Sequence, residues 1–247
     1  MLAGCGRVGF DATDAHDGSV GPDVLLAGHD EDLDGLDDNL DPCPHIAGTA
    51  DDDDGDGVGN ACDPSTGMEK IALFDAFTTL DPSLTLDRQW QLGDDELVLD
   101  DTGFRTVNRG FAITDANIWI GITIRTLATP DDHQIIIHPS AGTEQPRYFG
   151  QVYRTPTINE QGIVRYDDVS FMTIDSAPLG ATGIPLGDVT LHLAVTPGAD
   201  TVWTTSWGDA SHTSSGPTPA YTGSSRVRFV MSGMTGAIRY TCIITRR

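Results

Sequence analysis

Behind residue 67 the chain is written in twos. Ile118, Ile120, Ile122 and Ile124 interleave with Trp119, Gly121, Thr123 and Arg125, and Val189, Leu191, Leu193 and Val195 interleave with Thr190, His192, Ala194 and Thr196. Val227, Phe229 and Met231, then Ile238, Tyr240, Cys242 and Ile244, close the chain in the same way. A period of two sends successive side chains to opposite faces of a strand, so each run predicts a β-strand with one apolar face. Gly, Pro, Asp and Asn punctuate the runs, and further strands are expected at 71–75, 96–100, 104–114, 134–138, 147–154, 163–175 and 201–207. No stretch longer than about ten residues carries a convincing helical period. Residues 68–247 are therefore predicted to be mainly β, an antiparallel two-sheet sandwich with a core of its own.

The first 67 residues follow different rules. They hold 16 Asp and one Glu against the single Arg7, and contain no aromatic residue after Phe10. Such a segment cannot fold by burying apolar surface; it is either a disordered acidic tail or ordered by bound cations. The chain as a whole has a net charge of −23 and no clustered basic patch, which argues against nucleic acid as a partner. No apolar run is long enough to span a membrane.

Spacing decides between tail and cation site. Calcium takes six to eight oxygens, and a twelve-residue loop offers them at positions 1, 3, 5, 7, 9 and 12, with Gly at 6 for the sharp turn and a backbone carbonyl at 7. Asp30, Asp32, Asp34, Leu36, Asp38 and Asp41 fill these positions around Gly35; Asp52, Asp54, Asp56, Val58, Asn60 and Asp63 fill them around Gly57. Residues 30–41 alone carry six Asp and Glu31, whose mutual repulsion opens the loop unless a divalent cation is bound. A helix–loop–helix hand is excluded, because Pro42 and Pro44 follow the first loop, Pro64 follows the second, and no helical period flanks either.

With Cys43-Pro44 after the first loop and Ala61-Cys62-Asp63 closing the second, residues 30–64 resemble the thrombospondin type 3 repeat. That resemblance implies an irregular segment wrapped around two or more calcium ions, and a Cys43–Cys62 disulfide. Such a bond belongs to an oxidising, extracytoplasmic compartment. The opening Met1-Leu2-Ala3-Gly4-Cys5-Gly6 resembles the end of a bacterial lipoprotein signal, which implies a lipid anchor on Cys5 and a place in the cell envelope, or an extracellular one. Residues 1–28 are then this N-terminus and a flexible tether, 29–64 the calcium-binding repeats, and 68–247 the sandwich.

Phe74-Asp75-Ala76-Phe77, Leu80-Asp81-Pro82, Trp90 and Asp95-Glu96-Leu97-Val98 occur in an order that resembles concanavalin A/laminin-G-like jelly rolls. That resemblance implies a lectin-like recognition domain. The Glu-x-Asp-x-x-Glu strand of some hydrolases of this class is absent, since Glu69, Glu96, Glu144 and Glu160 stand far apart. Neither Gly-x-Ser-x-Gly nor His-Glu-x-x-His occurs. Cys242 shares the phase of Ile238, Tyr240 and Ile244 and is expected to be a buried thiol.

Trp119, Trp203 and Trp207 are either core or sugar-stacking platforms, with Tyr148, Arg154 and His192 as candidate polar contacts. Asp75 or Asp167-Asp168 are candidates for a second kind of calcium site. The expectation is a non-enzymatic calcium-binding protein that recognises a glycan or an extracellular protein surface. The alternatives are a polysaccharide-degrading enzyme with an unrecognised site and a purely structural surface protein.

Overall fold

The computed structural model describes residues 28–246 apart from 49, 66, 114, 130–131, 141–146, 168, 180–182, 196–199, 208–209 and 218–223. Cys5 lies outside the described residues. Among the described residues every regular element is a strand. In chain order they are β1 (Glu69–Asp75), β2 (Leu84–Leu86), β3 (Trp90–Leu92), β4 (Leu97–Leu99), β5 (Arg105–Ile113), β6 (Ala116–Leu127), β7 (His133–Ser140) and β8 (Arg147–Arg154). Then follow β9 (Asn159–Tyr166), β10 (Phe171–Pro178), β11 (Gly187–Val195), β12 (Asp200–Trp207), β13 (Ala210–Pro217), β14 (Ser224–Ser232) and β15 (Met234–Arg246).

They form two antiparallel sheets. The eight-stranded sheet runs β13-β12-β11-β6-β15-β4-β3, with β1 on the far half of β15; the seven-stranded sheet runs β10-β9-β8-β7-β14-β5-β2. The alternating faces meet between them: Ile118, Ile120, Ile122, Ile124, Leu191 and Leu193 from one sheet pack on Ile135, Ile137, Tyr148, Ile163, Val227 and Phe229 from the other. The fold class expected from the alternation is the one observed.

Three local expectations are corrected. The run 163–175 is not one strand but the hairpin of β9 and β10, broken where Asp167 Oδ1 accepts the N–H groups of Val169 (3.3 Å) and Ser170 (2.9 Å), an Asx-type turn that outcompetes the ladder. β13 was not expected because its sequence, Ala-Ser-His-Thr-Ser-Ser-Gly-Pro, has no apolar alternation; pairing with β12 from Ala210 to Pro217 makes it a strand. In β15 a register shift between Ile238 and Tyr240 breaks the phase. Ile238 joins the core between the sheets, whereas Tyr240, Cys242 and Ile244 face the other way.

Candidate functional site

The two acidic loops are built alike, the second 22 residues after the first. At position 1, Asp30 Oδ2 accepts from Gly35 N–H and Asp52 Oδ2 from Gly57 N–H, both at 2.9 Å. At position 5, Asp34 and Asp56 each accept from the N–H two residues on, at 2.9 Å. At position 9, Asp38 Oδ1 takes Glu31 N–H (2.9 Å) and Asn60 Oδ1 takes Asp53 N–H (3.0 Å). Position 12 repeats the pattern, Asp41 capping Cys43 N–H (2.7 Å) and Asp63 capping Ser65 N–H (2.9 Å). Gly35 and Gly57 sit at φ 98° and 92°, where a side chain would be strained, which is why position 6 is glycine in both.

These turns aim carboxylates inward. Oxygens of Asp30, Asp32 and Asp34 lie within 4.8 Å of one another, as do those of Asp52, Asp54 and Asp56. Asp30 Oδ1 and Asp32 Oδ2 are buried and have no hydrogen-bond partner. Burial raises the Glu31 carboxyl to about 7, against the pull of Arg239, and raises Asp32 to about 6. Converging hard oxygens with unsatisfied lone pairs fit a divalent cation.

The segment is seated on the outer face of the eight-stranded sheet. Cys43, Val58 and Cys62 form one apolar cluster with Phe74, Ala76, Trp119, Tyr240, Cys242 and Ile244. A disulfide joins Cys43 to Cys62. His45 tilts against Trp119 and Tyr240, with ring centroids 5.2 and 5.5 Å away. Polar clamps ring this contact: Arg239 Nη1 meets Glu31 Oε1 at 3.2 Å, His29 Nδ1 meets Asp38 Oδ2 at 2.5 Å, and Glu69 N–H donates to Asp56 Oδ2 at 2.6 Å.

Trp119 is therefore not a ligand platform. It is 8 % exposed, stacked at 4.1 Å on His192 beneath the segment, and His192 is equally committed, bonding Asn117 Oδ1 through Nε2 at 3.0 Å. Cys242 is buried as expected, but under the acidic segment rather than between the sheets, and desolvation pushes its thiol well above the ordinary range. Trp203 is 0 % exposed, its indole lying where residue 150 would need a Cβ were it not glycine. Tyr148 is likewise core, and Trp207 is partly buried, stacked on His212 at 5.1 Å. Asp75 is unsuited to calcium: it pairs with the buried Arg109, which also meets Asp81 at 2.9 Å, and its Oδ1 caps Phe77 N–H at 2.8 Å. Asp167 is occupied in its turn, and Asp168 lies outside the described residues.

The outer face of the seven-stranded sheet carries what the sequence reading missed. Phe171, 71 % exposed, stacks on Tyr166 at 4.5 Å and meets Phe149 edge-on at 6.2 Å; Phe149 in turn meets His138 at 5.6 Å. Beside them Arg228 Nε donates to Asn108 Oδ1 at 2.8 Å. Only the outward phase of β8, opposite Tyr148 and Val152, marked Phe149 in advance; the others are brought together by strand order.

No protein-family model matches the chain, and no curated protein sequence does. Solved structures do match. A CBM2 module of Lactobacillus casei BL23 phage J-1 evolved Dit superposes with a TM-score of 0.57 at 6 % identity, covering 72 % of this chain and 96 % of that one. Bacillus licheniformis β-glucanase gives 0.54 at 8 % identity over 71 % and 98 % of the two chains. Lectin II from Ulex europaeus gives 0.52 at 9 % over 72 % and 100 %. The sandwich is a lectin-like jelly roll. At these identities the likeness is one of fold, and it covers about seven-tenths of this chain.

Proposed function

We propose that the protein is a calcium-binding, non-catalytic glycan-binding protein of the cell envelope or extracellular space. A thrombospondin type 3-like segment, residues 29–64, holds two or more calcium ions through Asp30, Asp32, Asp34, the Leu36 carbonyl, Asp38 and Asp41, and through their counterparts Asp52, Asp54, Asp56, the Val58 carbonyl, Asn60 and Asp63. The ligand meets the outer face of the seven-stranded sheet. The observation that carries this reading is Phe171, 71 % exposed and stacked on Tyr166, with the buried Phe149 edge-on to it, on the outer face of the sheet opposite the acidic segment. Aromatic rings stack on the apolar faces of sugars while nearby polar groups fix the orientation. The names of the structural neighbours point the same way: a carbohydrate-binding module, a plant lectin, and the VIP36 exoplasmic/lumenal domain in a Ca2+/Man2-bound form (TM-score 0.51, 9 % identity, 72 % of this chain and 87 % of that one). The disulfide favours an oxidising compartment, and Cys5 supplies the anchor by lipidation.

The β-glucanase likeness favours a second reading, a polysaccharide-degrading enzyme. Against it, β5, β7, β8 and β14 contain no Asp or Glu, so the central strands of the open sheet supply no carboxyl pair for glycoside hydrolysis. Retention on a panel of immobilised polysaccharides, with and without Phe171→Ala, tests the binding reading. Loss of retention in the variant supports it; release of reducing sugar from the panel, or no retention at all, overturns it.

A further inference from the structure

We infer that the outer edge of β1 takes an extended, basic peptide segment of a partner protein, which adds a strand to the eight-stranded sheet beside the acidic segment. This goes beyond the glycan-binding reading and concerns the other sheet, so either can fail alone. The observation behind it is an open lane in the sheet. One edge of β15 pairs with β6 along most of its length, and the other is divided: β4 takes residues 236–238 and β1 takes residues 241–246. Beyond β4 lies β3, but among the described residues no strand lies beyond β1.

A cavity of about 690 Å³ runs beside β1, lined by residues 71–74 on one side and by Leu40, Pro42 and Pro44 of the acidic segment on the other. Successive residues of a strand point to opposite faces. Leu73 belongs to the core between the sheets and Phe74 to the cluster under the acidic segment, so a cavity that touches both lies against the edge of the strand rather than on one face. An edge offers main-chain N–H and C=O groups in alternation, which an extended peptide matches with its own at a strand spacing of about 4.8 Å. Ala72 stands outside the β1–β15 register as the extra residue of a bulge, which twists the edge and confines pairing to a short segment.

The walls define the segment that fits. Pro42 and Pro44 hold rigid apolar surface opposite β1, and Leu40, 73 % exposed, adds a large apolar side chain with little packed over it. Asp38, Asp41 and Asp52 also line the cavity, and no Lys or Arg does among the described residues. Asp53, exposed and outside the calcium-ligand positions, follows directly after Asp52. Residues 29–64 hold thirteen acidic groups and no Lys or Arg, so two calcium ions leave the segment about nine negative charges. A second copy of this chain would bring an equal charge to the same edge and is repelled. An extended segment that mixes cations with apolar side chains meets these walls.

Fluorescence anisotropy of a labelled hexapeptide alternating Lys and Val, titrated with the calcium-loaded full chain at about 0.15 M salt, tests this. Two further probes are the same peptide N-methylated at every residue, which can donate no ladder bond, and its counterpart alternating Glu and Val. The expected result is saturable binding of the Lys-Val peptide, weakened about tenfold or more by N-methylation, by exchange of Lys for Glu, and by Leu40→Arg in the protein. Leu186→Arg, which adds the same charge at a 62 % exposed leucine before β11, leaves it within about twofold. The N-methylated probe needs no variant, so the test stands whether or not Leu40→Arg folds. Equal affinity for the N-methylated peptide means adhesion without a strand and overturns the inference, as do equal affinity for the Glu-Val peptide and no binding of the Lys-Val peptide. Light scattering accompanies the titration: a dimer that Leu40→Arg disperses assigns the edge to a second copy and overturns it as well.

Discussion

The imidazole of His45 packs against the indole of Trp119, and with it the acidic segment is anchored to a face of the sandwich that would otherwise lie open. Both ring nitrogens of His45 are buried without a hydrogen-bond partner. Burial, reinforced by nearby His192, pushes the His45 imidazole down to about 3, and burial alone brings His192 to about 4. Tyr240 and Cys242, the other titratable groups of the cluster, are pushed up and stay neutral through the same range. Both histidines have folded values below the unfolded 6.5, so the unfolded chain binds more protons as pH falls. The contribution of these two histidines is complete above about pH 6.5 and is lost progressively towards about pH 3, the folded value of His45. Thermal melts in saturating calcium should show this slope, and His45→Phe, which keeps an aromatic ring there, should flatten it and raise the melting temperature at pH 5.

Calcium removal should unseat the segment, because thirteen negative charges between residues 29 and 64 then face no compensating cation. The Cys242 thiol reports on this directly, since the segment covers it. In a Cys5→Ser background its reaction with a thiol reagent should speed up by roughly tenfold or more on addition of EDTA, as local opening exposes it. An unchanged rate would mean that the segment stays seated without metal.

Replacing both Cys43 and Cys62 by Ala removes a crosslink with a sequence separation of 19. Loop-closure entropy puts the loss at about 3 kcal/mol of segment stability. The measurement is the calcium concentration needed for half-maximal protection of residues 29–64 from protease, which should rise, while the sandwich itself remains folded.

Gly150→Ala should destabilise the sandwich by about 1–3 kcal/mol, the cost of overpacking a filled core, because the Trp203 indole stands in the place of the new methyl. Chemical denaturation would show a lower midpoint. The paired variant Gly150→Ala with Trp203→Leu should recover part of the loss, which a purely backbone effect of alanine would not allow.

The alternation of Ile118 to Ile124 and of Val189 to Val195 by itself determined a two-sheet β fold, since a period of two leaves a strand no other way to bury one face. The spacing around Gly35 and Gly57 likewise determined two like loops, because their turns are closed by local side-chain to backbone bonds within twelve residues. What only the tertiary structure decided was which face each aromatic serves. Trp119 and Trp203 read alike in sequence, yet one lies under the acidic segment and the other between the sheets. The bulge in β15 turned Tyr240 and Cys242 away from Ile238 by one residue, which no count of apolar positions reveals. The aromatic cluster was hidden for a similar reason: Phe171, Phe149 and His138 come from three strands, and only the order β10-β9-β8-β7 makes them neighbours.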